Sequence, residues 1–284
     1  MRNWIYTVLL YMAPQHLLTL LMYKLTRARF APWKNWQMRW FINRYKVDMS
    51  LALEENTLNY PDFNSFFTRA LKPEARPISA NDNALICPAD GTVSQAGTIE
   101  KNRLFQAKGH YYTLEDLLGG DTKLARQFID GSFATIYLSP RDYHRVHMPC
   151  EAELKNMTYV PGKLFSVNHY TAENVPNLFA RNERIISTFM TQQGPMVLIL
   201  VGAFNVGSME TVWHGMVTPP YGKRICHWNY DGKHIGLQKG EEMGRFNMGS
   251  TVIVLLPKDT CEPAPGIQHA EHVVMGQDLF IKKQ

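Results

Sequence analysis

The stretch RFNMGSTVIVLLP, Arg245–Pro257, contains an apolar run from Thr251 to Leu256 that predicts a buried β-strand. The dipeptide Gly249-Ser250 stands immediately before that run. Taken alone, it indicates only a turn that ends at glycine, with the serine satisfying the first backbone group of the strand. Any further meaning of this dipeptide depends on the rest of the chain.

Short apolar runs of the same kind fill the sequence from about Ala84 onward, separated by Gly, Pro and Asn. They include ALIC, FATIYL, MVLILVGAF, ETVWHGMV and EHVVMG, and they predict strands. The segment NYDGKHIG predicts a hairpin turn at Asp231-Gly232. One short helix is predicted at TLEDLLGG, where Thr113 and Asp116 resemble a capping box.

Residues 1–70 have a helical pattern instead. Two apolar stretches flank Pro14, WKNWQMRWFINRYKV follows, and DFNSFFTRAL has Asp62 as its predicted N-cap. The Pro-punctuated connector KPEARPI then marks a boundary. The sequence therefore predicts an α+β fold, with helices in residues 1–70 followed by a mainly β catalytic domain in residues 71–284.

Charge is distributed unevenly along the chain. The net charge is +5, but residues 1–47 contain eight Lys and Arg and no Asp or Glu, and they contain four of the six tryptophans. Basic residues mixed with amphipathic aromatics suit the headgroup layer of an anionic membrane. The four cysteines form no CxxC pair, which argues against a disulfide framework or a structural zinc site and favours a reducing, cytosol-facing location.

The apolar stretches WIYTVLLYM and HLLTLLMY exclude a nucleic-acid groove and suit acyl chains. Trp4–Tyr23 is long enough to span a bilayer, but Pro14-Gln15-His16 would place polar groups at its centre. A signal peptide is disfavoured because no A-x-A-like cleavage site follows. We therefore expect peripheral attachment to the cytosol-facing side of a membrane, with a true span as the open alternative.

Three polar residue types that support acyl chemistry occur in separate segments. Asp90 lies in CPADGTVS, His144 and His147 lie in YLSPRDYHRVHMP, and Ser250 lies before the last long strand. The two histidines could share a helical face and bind a metal, but no third ligand has a suitable spacing, so no metal is expected. A lipase or esterase at the membrane surface is one hypothesis, although the serine lacks a G-x-S-x-G elbow.

Two other hypotheses remain at this point. Ser250 could attack the carbonyl of Gly249 in its own chain, because glycine lets a hydroxyl approach closely and tolerates strained backbone angles. Alternatively, the chain could be a membrane-tethered β module that binds a lipid or protein without catalysis.

Ordered motifs along almost the whole chain resemble the bacterial phosphatidylserine decarboxylases, which are pyruvoyl-dependent. They are FNSFFTRALKPEARPI, CPADGTVSQAG, QAKGHYYTLEDLLGG, YLSPRDYHRVHMP, VPGKLFSVN, VGAFNVGSM and KGEEMGRFNMGSTVIVLL. The common Leu-Gly-Ser-Thr is Met248-Gly249-Ser250-Thr251 here, a nearly volume-conserving change.

The resemblance implies self-cleavage between Gly249 and Ser250 into a β chain, 1–249, and an α chain, 250–284. These two chains would form an α/β heterodimer, with a further homodimer left open. Ser250 would become a pyruvoyl group, with neither metal nor pyridoxal phosphate required. That group would form a Schiff base with phosphatidylserine and yield phosphatidylethanolamine and CO2.

The resemblance also implies a role for each polar residue. His147 would be the base that takes the proton of Ser250, and Asp90 would orient that imidazole, as in serine proteases. His144 would give a proton to the decarboxylated product.

Overall fold

The computed structural model describes residues 14–204 and 208–283, and they form the predicted α+β fold. The predicted apolar stretch in residues 4–12 lies outside the described residues. The helices are α1 (Gln15–Thr26), α2 (Ala31–Tyr45), α3 (Phe63–Phe67), α4 (Leu114–Leu117), α5 (Thr122–Ala125), α6 (His169–Asn174) and α7 (Leu178–Arg181), with 3₁₀ turns at Thr57–Asn59, Pro73–Ala75 and Arg126–Phe128.

The strands lie after the three N-terminal helices. They are β1 (Ala84–Ile86), β2 (Gly91–Thr98), β3 (Arg103–Ala107), β4 (His110–Thr113), β5 (Ser132–Tyr137), β6 (Arg145–His147), β7 (Ala152–Val160), β8 (Arg184–Thr191), β9 (Gly194–Val201), β10 (Met209–Thr211), β11 (Gly215–Thr218), β12 (Cys226–Asn229), β13 (Gly236–Leu237), β14 (Glu242–Phe246), β15 (Thr251–Leu256), β16 (Cys261–Pro263), β17 (His272–Val273) and β18 (Asp278–Lys282).

The strand predicted from the Gly-Ser segment, β15, lies in the middle of the largest sheet. That sheet is antiparallel, with the order β12-β7-β8-β9-β15-β5-β2-β17 and with β13 also pairing with β7. Thr251 opposes Tyr137 of β5 on one side and Val201 of β9 on the other. All six residues of β15 are buried. A continuous apolar run is what a strand covered on both faces requires, and the prediction is confirmed.

A smaller sheet carries His147, and His144 lies in the loop just before it. Its order is β11-β10-β14-β6, and His147 of β6 opposes Glu242 of β14. A second small sheet pairs β1 with β18 and β18 with β16, so it joins the start of the β-rich region to the end of the chain.

The predicted hairpin at Asp231-Gly232 is wrong. The turn is present, but β12 and β13 on either side of it do not pair with each other. Both lie along the same edge of β7, with Cys226 opposite Tyr159 and Gly236 opposite Glu153. Since β7 is nine residues long, it offers one edge long enough for both segments, and residues 230–235 bulge out between them.

Helices α2 and α3 are held together by an aromatic cluster of their own. Its buried members are Met38, Phe41, Val47, Tyr60, Phe63, Phe66 and Phe67, and Met248 packs against it. The predicted N-cap of α3 is confirmed, because Asp62 accepts a hydrogen bond from the backbone NH of Ser65. No helix within residues 14–204 and 208–283 is long and apolar enough to cross a membrane.

Candidate functional site

Ser250 lies at the entry to β15, where it is fixed by the sheet. Its carbonyl oxygen accepts a hydrogen bond of 2.7 Å from the backbone NH of Leu138, which follows β5. The residue is 1% exposed, and its Oγ has no hydrogen-bond partner among the described residues. A buried hydroxyl without a hydrogen bond costs free energy, so its presence needs an explanation. One explanation is that Oγ of Ser250 is kept unbonded because it reacts.

The two residues before Ser250 bring strain and close contact. Met248 has a φ of 126°, a region that residues with a side chain rarely adopt, and such strain costs on the order of 1–3 kcal/mol. Gly249 is packed so tightly that an added Cβ would lie 2.8 Å from Cε1 of His144 and 3.4 Å from the carbonyl oxygen of Leu138. The backbone before Ser250 is therefore strained and lies directly against an imidazole ring.

His144 is that ring, and it is fully buried. It stacks on Phe67, with ring centroids 4.0 Å apart and planes 16° apart. Its Nε2 lies 3.4 Å from the carbonyl oxygen of Pro140, and its Nδ1 has no partner among the described residues. Burial, assisted by the charge of Arg69, lowers the pKa of His144 to about 3, so the imidazole is neutral at physiological pH.

Both ring nitrogens of His147 are engaged in hydrogen bonds to residues other than Ser250. Its Nδ1 lies 2.8 Å from the carbonyl oxygen of Gly240 and its Nε2 lies 3.0 Å from the hydroxyl of Tyr143. A carbonyl can only accept, so Nδ1 carries the proton and Tyr143 donates to Nε2. Burial lowers the pKa of His147, which makes its neutral form the stable one.

Asp90 is buried and fully hydrogen-bonded, but not to a histidine. Its carboxylate is gripped by Arg76, whose Nε lies 2.8 Å from Oδ1 and whose Nη2 contacts Oδ2. Oδ1 also accepts a hydrogen bond of 2.9 Å from the backbone NH of Met275. Asp90 therefore joins the predicted connector to a segment near the C-terminus.

Among the predicted site residues, the structure brings His144 to Gly249 and Ser250. His147 and Asp90 have other hydrogen-bond partners, and neither makes a hydrogen bond to the other or to Ser250. Sequence reasoning missed Arg76 and Tyr143, although both stand inside quoted motifs. An arginine in a Pro-rich connector and a tyrosine next to a histidine carry no signal of their own. Across residues 14–204 and 208–283, no three His, Cys, Asp or Glu residues are grouped so that they could hold a metal ion.

A cavity of about 390 Å³ opens beside the Gly249–Ser250 peptide. Helix α2 contributes Phe41 and Tyr45 to its wall, and Phe67 follows from α3. The rest of the lining is mostly apolar: Tyr137, Leu138, Pro140, Ser166, Val167, Ala203, Phe204 and Met248. A concave, largely apolar site with one buried nucleophile suits a ligand that has an apolar part.

The chain is similar to known proteins along most of its length. A family model described as phosphatidylserine decarboxylase matches residues 63–281, and a second one, described as PSD, matches residues 5–46. A phosphatidylserine decarboxylase proenzyme of Idiomarina loihiensis is 55% identical over 252 residues, which are 88% of this chain and 86% of that protein. The proenzyme of the same name from Vibrio parahaemolyticus is 53% identical over 276 residues, 96% of this chain and 97% of its own.

Proposed function

This chain belongs to the phosphatidylserine decarboxylase family, and we propose that its active site is assembled at the Gly249–Ser250 peptide. It is a decarboxylase that converts phosphatidylserine into phosphatidylethanolamine and CO2, and it is made as a proenzyme that processes itself. The observation that carries the location of the site is the buried, unbonded Oγ of Ser250 beside a strained backbone. The family match gives no support to a lipase or esterase.

The proposed processing uses Ser250 as the nucleophile. Its Oγ attacks the carbonyl carbon of Gly249, the peptide C–N bond breaks, and the peptide becomes an ester. Loss of the Cα proton of Ser250 then breaks the Cβ–O bond, which frees a carboxylate at Gly249. The dehydroalanine that remains takes up water and releases ammonia, which leaves a pyruvoyl group at the start of the α chain.

In this proposal His147 takes the hydroxyl proton of Ser250 and Asp90 orients the imidazole. For these roles, the hydrogen bond from Tyr143 to His147 and the grip of Arg76 on Asp90 have to open first. The resting structure thus corresponds to a state before activation, in which the base is neutral but engaged elsewhere.

A pyruvoyl group at position 250 fits the surroundings of Ser250, since no side chain bonds to Oγ and the cavity lies beside it. When present, this group supplies a carbonyl that accepts the amine of the substrate and withdraws the electrons left by CO2. His144 lies against the Gly249–Ser250 peptide, where a proton donor to the product carbon is needed. Its ring is held in place by Phe67, so it would be preoriented, but because it is neutral in the uncut chain it would have to take up a proton before it could donate one.

We also propose that α1 and α2 attach the enzyme to the cytoplasmic face of the inner membrane. Five large apolar side chains are exposed in this part of the chain: Leu17, Leu21, Phe30, Trp36 and Trp40. The inner side of α2 lines the cavity, so the helix that would contact lipid also borders the site. This arrangement suits a phospholipid substrate that never leaves the membrane surface.

The test is to compare fragment pattern with CO2 release. The wild type should separate into residues 1–249 and 250–284 on a denaturing gel, and the mass of the second fragment should include a pyruvoyl terminus. Ser250→Ala should stay uncut and inactive. His147→Ala and Asp90→Ala should stay mostly uncut, with Asp90→Ala the leakier, whereas His144→Ala should cut but release little CO2.

Because His144 lies against Gly249, it is the alternative candidate for the base in self-cleavage. If His144→Ala stays uncut while His147→Ala is processed normally, the two roles are reversed. If the wild type remains a single chain, self-processing itself is refuted.

A further inference from the structure

Arg69 is a buried cation for which residues 14–204 and 208–283 supply no anionic partner. It is 4% exposed, and both its Nε and its Nη1 are buried with no hydrogen-bond partner among the described residues. The one hydrogen bond that its side chain makes to a described residue is a long one, 3.5 Å from Nη2 to the carbonyl oxygen of Arg141. A buried charge normally requires a counter-ion, since its desolvation costs several kcal/mol.

The neighbours of Arg69 do not supply that counter-ion. Its guanidinium lies 5.5 Å from the ring centre of Phe66, which offers only a cation–π contact. Asp90, a carboxylate whose charge acts on Arg69, already accepts hydrogen bonds from Arg76 and from a backbone NH. The N–H groups on Nε and Nη1 of Arg69 thus remain unused among the described residues of the uncut chain.

Arg69 acts electrostatically on His144, the ring that lies against the site of cleavage. It follows Phe67, the ring stacked on His144, by two residues, and it contacts the carbonyl of Arg141. The same loop carries Pro140, whose carbonyl lies 3.4 Å from His144 and whose side chain lines the cavity. His144 in turn touches Gly249. Arg69 therefore packs against the loop that holds the scissile peptide in place.

We propose that Arg69 is an oxyanion-binding residue whose ligand is absent until the enzyme matures. The guanidinium fork matches a carboxylate or a phosphate in geometry. Two sources of such an oxyanion arise at this site, and both rest on the proposed function. One is the carboxylate that cleavage frees at Gly249, and the other is the phosphate of the lipid headgroup.

The experiment uses inorganic phosphate as the probe and the melting temperature as the readout. It compares uncut Ser250→Ala, the double variant Ser250→Ala/Arg69→Met, and the processed wild type, with chloride at equal ionic strength as the reference. Phosphate stabilises most proteins slightly by exclusion, and the double variant measures that background. Phosphate should raise the melting temperature of Ser250→Ala by about 2 °C or more above the background.

The processed wild type then identifies the source of the oxyanion. No phosphate response in that protein means that the Gly249 carboxylate already fills the site. A response of the same size, with phosphate competing against phosphatidylserine, means that the headgroup is the ligand. Equal responses of Ser250→Ala and its Arg69→Met partner would overturn the proposal.

Two controls keep the result interpretable. If Arg69→Met does not fold, Arg69→Lys replaces it, because lysine keeps the charge but loses the fork, and the phosphate response should fall. If the wild type runs as one chain, self-processing has failed, whereas the Ser250→Ala comparison still decides whether Arg69 binds an oxyanion.

Discussion

Substituting Gly249→Ala tests whether the contact between the scissile peptide and His144 sets the geometry of cleavage. The new Cβ would lie 2.8 Å from Cε1 of His144, which is too close for two carbon atoms. The ring cannot simply retreat, because Phe67 is stacked on it with centroids 4.0 Å apart. Overpacking of this kind costs roughly 1–3 kcal/mol, and relief would have to come from a shift of the Gly249 backbone.

Such a shift acts on the carbonyl that Ser250 attacks. A displacement of about 1 Å between reacting groups can cost on the order of 100-fold in rate. We therefore expect Gly249→Ala to fold but to cut about 100-fold more slowly than the wild type. The measurement is a time course of the 1–249 and 250–284 fragments on a denaturing gel after a pulse of synthesis.

Gly236→Ala is the matched control, because a Cβ added at that glycine meets no atom within 4 Å. It should process at the wild-type rate. The double variant Gly249→Ala/His144→Ala removes the obstructing ring and should recover much of the lost rate, provided that His144→Ala alone still cuts. Wild-type processing of Gly249→Ala, or a double variant as slow as Gly249→Ala beside a competent His144→Ala, would refute the steric reasoning.

Two further predictions concern the membrane face and a buried acid. Trp36→Ser/Trp40→Ser should weaken binding to anionic vesicles in a flotation assay at least tenfold, because both side chains are about half exposed. The control Met190→Ser, at a side chain of similar exposure, should leave vesicle binding unchanged. Equal binding by the wild type and both variants would contradict membrane attachment through α2. Burial raises the pKa of Glu183 from 4.5 to about 7, so the folded state binds more protons than the unfolded state between these pH values. Raising the pH from 4.5 to about 7 should therefore lower the free energy of unfolding by roughly 3 kcal/mol through this group. Denaturant titrations should show that the free energy of unfolding of Glu183→Gln depends less steeply on pH than that of the wild type. Superimposable pH profiles for the wild type and Glu183→Gln would show that this carboxyl is not buried as described.

The sequence was most informative where a single physical requirement dominated. The run Thr251–Leu256 could be predicted as a buried strand because it is short, rich in β-branched residues and bounded by Gly249 and Pro257. The N-cap at Asp62 could be predicted because a single side chain accepts a hydrogen bond from a single backbone NH three residues later. Both features are local, so their causes lie within a few residues of each other.

Pairing between distant segments could not be predicted in the same way. The Asp231-Gly232 turn was correctly expected, but only the length of β7 decides that the flanking strands align along one edge instead of pairing with each other. ETVWHGMV likewise divides into β10 and β11 around a turn. In the site, residue types alone indicated Ser250, His144, His147 and Asp90. The partners that hold two of them in the resting state, Tyr143 and Arg76, depend on tertiary contacts that leave no periodic pattern.

The central position of β15 has a consequence for the life history of the protein. The strand is hydrogen-bonded on both sides, to β5 and to β9, and it begins one residue after the proposed cut. While the chain is continuous, insertion of this strand is an intramolecular event. After cleavage it would become an association between two separate polypeptides. We expect the mature enzyme to regain its structure after denaturation only in a concentration-dependent manner, if at all, whereas Ser250→Ala refolds independently of concentration. Cleavage would thus separate an early period, in which the chain folds as one molecule, from a later one, in which refolding requires two polypeptides to associate.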